Sequence, residues 1–266
     1  MRRGWLSRID RALSGTRPAW IIASTILLLL LWGTHGRFEL LSLVWPAYKG
    51  PGSNPGTRPS LVPGIPWDHE LISFAAGFAI LVVVPAILIK AVYGQRLSDY
   101  GLGLPPRGRR AFSLLVFVGL VAVLAIPFWY GARTPGMHRV YPLYRGFPGA
   151  AGFAAYELAY LLFFVATDFI FRGYLLFGLS SPGGTAREGG DPYPRGLRVV
   201  AQAMLVQMLA HALWHLGKPL PELWGTPIWG FVAGALALAC RSIWPIALAH
   251  WALNIVIDVS SLAVSP

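Results

Sequence analysis

Long apolar stretches, separated by short polar connections rich in proline and glycine, set the pattern of this chain. They fall at residues 19–32, 70–92, 112–130, 150–179, 197–216, 223–240 and 243–264. Most run about 18 to 25 residues, enough for a helix rising 1.5 Å per residue to cross the roughly 30 Å hydrocarbon layer of a bilayer. The pattern predicts an all-α fold, a polytopic transmembrane helix bundle of about seven spans.

The connections sharpen this outline. Residues 45–67 are too polar and too broken by proline and glycine to span. Pro85 lies inside the second stretch and predicts a kink, because proline removes a backbone donor. Residues 180–195 are polar and glycine-rich and read as a loop. No internal repeat is visible. Three parts follow: a basic tail (1–18), N-terminal helices and loops (19–148), and a C-terminal set of core helices (149–266).

Composition agrees. Hydrophobic types make up 55% of the 266 residues and charged types 12%, against about 25% charged in a typical soluble domain. The bilayer is thus the expected solvent. Lys and Arg outnumber Asp and Glu by 22 to 11, and the excess sits in the N-terminal tail and the loops, a pattern that sets topology and attracts anionic headgroups. No basic stretch interleaved with aromatics points to nucleic acid. Placing the tail and the loop carrying Arg96, Arg107, Arg109 and Arg110 in the cytoplasm predicts an integral protein of a bacterial cytoplasmic membrane with its N-terminus inside; Arg133, Arg139 and Arg145 fit that rule less well. The basic start resembles a signal peptide, but no small-x-small cleavage site follows, so it reads as a retained first helix. The single cysteine, Cys240, excludes an internal disulfide.

Polar residues inside membrane helices are costly and usually functional. Here they are Glu157, Thr167, Asp168 and Arg172 on the fourth stretch, Gln207, His211 and His215 on the fifth, and His250, Asn254 and Asp258 on the seventh. Asp168 and Arg172 are spaced to pair on one helix face. His250, Asn254 and Asp258 form one polar stripe. His211 and His215 repeat the spacing, which can hold zinc if a third ligand is supplied, although Ala212 stands where the glutamate of HExxH would be.

The runs TDFIFRGYLLFGL, QMLAHALWHLGKPLPE and SIWPIALAHWALN, with LSDYGLGL earlier, resemble the CAAX-protease and bacteriocin-processing (CPBP, or Abi) family of intramembrane glutamic peptidases. That family's pattern is EExxxR, then FxxxH, then HxxxN or HxxxD. Arg172, His215, His250 and Asn254 match it in order, over roughly residues 156–258. Two positions depart: Thr167 and Asp168 replace the paired glutamates, and His211 replaces the phenylalanine.

The resemblance implies an endopeptidase acting on a membrane-embedded or lipid-anchored peptide. Asp168 would be the base that activates water, His215 its helper, and His250 and Asn254 the oxyanion donors. Arg172 would hold the helix in register. Glu157 lies about three turns before Asp168 and reads as a cavity wall or packing contact. No metal or other cofactor is expected, with zinc at His211 and His215 as the alternative. Two rival readings stay open: an inactive relative that binds a membrane partner, prompted by Thr167, and a small transporter.

Overall fold

The computed structural model describes residues 16–33, 42, 44–54, 56–180 and 196–264. The expected basic tail up to residue 15 and the loop at 181–195 lie outside the described residues. Among those described, six helices are long and apolar enough to cross a membrane: α2 (Asp68–Val92), α3 (Arg107–Gly131), α5 (Gly149–Ser180), α6 (Gly196–Trp214), α7 (Leu220–Cys240) and α8 (Trp244–Leu262). Two shorter ones accompany them, α1 (Arg17–Trp32) and α4 (Pro135–Val140).

The first apolar stretch, expected to be one of seven spans, forms a helix of only 16 residues, about 24 Å at 1.5 Å per residue. It nevertheless reaches between the two ends of the bundle. At one end the Arg17 guanidinium lies over the Tyr93 ring. At the other the Gly33 carbonyl accepts a hydrogen bond from Trp214 Nε1 at 3.2 Å.

Helix α5 is the axis of the bundle and the most enclosed span, whereas α3 is the most peripheral. Its second half, Phe169–Phe177, widens into a π-helix whose nine side chains are all buried. Such wider turns are uncommon and are often found at functional sites. Gly173 is required here: a Cβ would stand 2.3 Å from Phe169 Cδ2 and 2.9 Å from the Tyr100 carbonyl oxygen. Aromatic rings pack the first half of α5, with Phe74 stacked on Tyr160 at a centroid distance of 4.3 Å. Pro85 leaves α2 continuous, flanked by two π-helical stretches, Ala79–Val83 and Leu88–Val92. The donor that proline lacks is thus absorbed by loosened turns.

Two loops fix the ends. At one, residues 49–66 are fastened to the start of α2. Arg58 donates from Nη1 and Nη2 to both oxygens of Glu70 at 2.8 Å. His69 Nδ1 accepts from the Lys49 amide, so Nε2 is the donor to the Pro59 carbonyl. Asp68 accepts from the amides of Leu61 and Val62. At the opposite end, the run LSDYGLGL docks on the α7–α8 turn. Gly101 O accepts from the Ile243 amide, Gly103 O from Ser242 Oγ, and Leu102 O from Trp244 Nε1. Gly101 has φ +76°, and a Cβ there would meet Phe177 and Ile243, so a glycine suits both the backbone and the close approach.

Candidate active site

The chemistry starts at the centre of α5, where the regular helix gives way to the π-helical stretch. Asp168 and Arg172 are both fully buried, with Asp168 Oδ1 3.3 Å from Arg172 Nη1. Burial of such charges is tolerated only when they are paired and hydrogen-bonded. Arg172 Nη2 faces His211 Nδ1 at 3.2 Å. An arginine nitrogen is always a donor, so His211 Nδ1 accepts and its ring proton belongs on Nε2. On the other flank His250 Nδ1 donates to Asp168 Oδ2 at 3.0 Å. The carboxylate thereby fixes the ring of His250 and leaves Nε2 free to face elsewhere.

The His250 side chain borders a cavity of about 810 Å³ between α3, α5, α6, α7 and α8. Thr167, His211, His215, His250 and Asn254 line it, whereas Asp168 and Arg172 do not. Of the two positions matching the family's paired acids, Thr167 therefore borders the cavity and Asp168 lies behind it. The Thr167 hydroxyl donates back to the Phe164 carbonyl at 3.2 Å.

The sequence pattern carries the fifth helix to residue 216 and so leaves His215 near its far end. Helix α6 in fact ends at Trp214. The chain turns through Gly217 at φ +85° into Pro219, which precedes α7. This turn brings the start of α7 beside His215. Its Nδ1 donates to the His211 carbonyl at 2.9 Å, and its Nε2 lies 3.4 Å from Glu222 Oε1. The two histidine rings meet edge to face with centroids 4.6 Å apart.

Glu222, in the first turn of α7, joins the site although the polar pattern of the spans does not single it out; it closes the run HLGKPLPE. Lys218 Nζ lies 3.3 Å from its Oε1, and the Tyr141 hydroxyl lies 3.0 Å from both oxygens. Burial and the nearby Glu222 charge push the Tyr141 phenol well above its ordinary value, so it stays a donor. The spacing of Lys218 and Glu222, four residues apart, was the available signal.

The remaining residues divide. Asn254 borders the cavity and donates to Asp258 Oδ2 at 3.3 Å, while Asp258 is buried behind it. Glu157 is buried off the cavity, and its carbonyl accepts from Trp251 Nε1 at 2.7 Å. It therefore sits at the α5–α8 packing contact. Gln207 donates to the Gly230 carbonyl at 2.7 Å and ties α6 to α7. Among the described residues, no group of three or more His, Cys, Asp or Glu is arranged to hold a metal ion. His211 and His215 thus lack a grouped third ligand there.

Fold and site together define a multi-pass helical membrane protein with a largely apolar chamber among its spans, into which a few polar side chains are set. Residues 150–256 match the profile of the Type II CAAX prenyl endopeptidase Rce1-like family, in keeping with the CPBP resemblance. At the level of the family, this match supports a membrane protease. No match was found among curated proteins or among solved structures.

Proposed function

We propose that the protein is an intramembrane endopeptidase that cleaves a membrane-anchored peptide with a water activated by a carboxylate. The observation that carries the reading is the convergence of His215, at the end of α6, with His250 and Asn254, both on α8, on one cavity among the spans. Peptide hydrolysis needs an activated water and donors for the oxygen that becomes negative. His250 Nε2, when it carries a proton, is such a donor, and Asp168 balances its charge through Nδ1. The Asn254 amide is a second donor. Arg172 joins Asp168 and His211 and so holds α5 and α6 in register.

The shape of the cavity favours an anchored substrate. Its polar groups gather near His215, Lys218 and Glu222, while Leu115, Leu120, Val232 and Leu236 form an apolar extension along α3 and α7. An extended apolar slot beside a polar chamber suits a peptide joined to a lipid chain or to a membrane segment. In this proposal no cofactor takes part, and the end bearing Arg96 and Arg107 faces the cytoplasm.

One observation favours a second reading. Because Thr167 is the α5 side chain bordering the cavity in place of an acid, a binding protein without activity is the competing function. Purified protein, incubated with a library of membrane-tethered peptides both prenylated and acylated, separates the two by mass spectrometry of the products. Cleavage abolished by His250→Ala is expected. A folded preparation that cleaves nothing, beside an active relative, would reject the peptidase in favour of the binding protein.

A further inference from the structure

We infer that Glu222 is the carboxylate that activates the water, taking from α7 the task for which α5 supplies no acid. The inference rests on the peptidase reading and deepens it. Among the described residues lining the cavity, Glu222 is the one carboxylate. Asp168 is enclosed between Arg172 and His250, with no oxygen open to the chamber. Glu222 keeps partial exposure, its side chain 17% accessible, and stands 3.4 Å from His215 Nε2. The two groups thus stand side by side at the chamber, where one water can lie against both.

The surroundings keep the carboxylate ionised and in place. Lys218 Nζ and His215 Nε2 both approach Oε1, and the Tyr141 hydroxyl reaches both oxygens. His215 is itself fixed by its bond to the His211 carbonyl, so its Nε2 cannot turn away from Glu222. In the step inferred, a proton passes from water to Glu222 as the water oxygen bonds to the scissile carbonyl carbon. The carbon–nitrogen bond then breaks, and the same proton goes to the departing amine. Water is the only co-reactant, and nothing is oxidised or reduced.

Three variants in the tethered-peptide assay test the assignment. Glu222→Gln keeps the size of the side chain and its acceptor oxygen but removes the base, and should lower kcat by about a hundredfold or more with KM and melting temperature little changed. Lys218→Met leaves the carboxylate in place and should cost clearly less. Glu222→Asp should retain part of the activity with a shifted acidic limb in its pH profile. Restored cleavage in Thr167→Glu combined with Glu222→Gln would add support, since it returns an acid to the same chamber from α5. Equal losses in Lys218→Met and Glu222→Gln would make Glu222 a structural partner of the lysine and overturn the inference. So would a Glu222→Gln protein keeping near-native kcat in an active preparation, which leaves the peptidase reading intact. Native protein that is folded but inactive removes both.

Discussion

Asp168 and His250, on different helices, meet at 3.0 Å, yet only the histidine borders the cavity. The carboxylate therefore acts through the ring it orients. Asp168→Asn should keep His250 in place but remove the negative charge beside its ring, lowering kcat by about a hundredfold or more. Single-turnover cleavage separates this loss from weaker substrate binding. An unchanged rate would show that His250 needs no oriented charge.

Gly173→Ala should destabilise the bundle by about 1–3 kcal/mol, the usual cost of overpacking a filled core. Its Cβ would stand 2.9 Å from the backbone oxygen of Tyr100, which cannot swing aside as a side chain could. Gly108→Ala, with nothing within 4 Å of the new atom, is the control. Thermal unfolding in detergent should show a lower midpoint for the first variant and no change for the second.

The two-point contact between Arg58 and Glu70 is almost fully enclosed, with side-chain exposures of 4% and 0%. Removing one partner from a buried pair costs about 3–5 kcal/mol. Arg58→Ala should release the 49–66 connection and make it sensitive to limited proteolysis. Fragment masses should place the first cuts inside that segment.

Tyr48, outside the spans, has its phenol pushed up from 10.0 to about 12, chiefly by burial. A phenol that ionises later in the folded chain contributes stability that is whole below pH 10 and lost as pH rises through about 12. The unfolding midpoint should therefore fall over that window. Tyr48→Phe, which keeps the ring, should make the fall shallower, while Tyr100, Tyr141 and Tyr144, all shifted in the same direction, maintain the rest of it.

Sidedness can be read with cysteine labelling, because the native Cys240 is buried. Arg107→Cys and Arg139→Cys both place a thiol at an exposed position, at opposite ends of the bundle. An impermeant reagent applied from outside should label the second and spare the first. The reverse pattern would invert the proposed orientation.

The spans were legible because a 20-residue apolar helix needs no partner to declare itself. The pairing of Asp168 with Arg172 followed from their helical spacing, and the match to residues 150–256 covers three of the four runs that carry the resemblance, LSDYGLGL lying before it. What escaped depends on contacts between distant segments. Asp68, His69 and Glu70 give no hint in one dimension that they anchor a loop. The contact of Glu222 with His215 depends on how the turn through Gly217 and Pro219 lays the start of α7 against the end of α6, and the composition of a turn does not say which groups it brings together. The burial of Asp168 behind His250 depends on how α8 lies against α5, which no periodicity reports.

Helix α3 supplies a wall of the chamber, yet it lies wholly outside the segment matching the family profile. The reactive groups and the surface that a substrate slides along thus belong to separate stretches of chain. Grafting residues 150–256 onto another set of N-terminal helices would transplant the chemistry without its doorway, and variation in α3 alone could change what enters while leaving the reaction untouched.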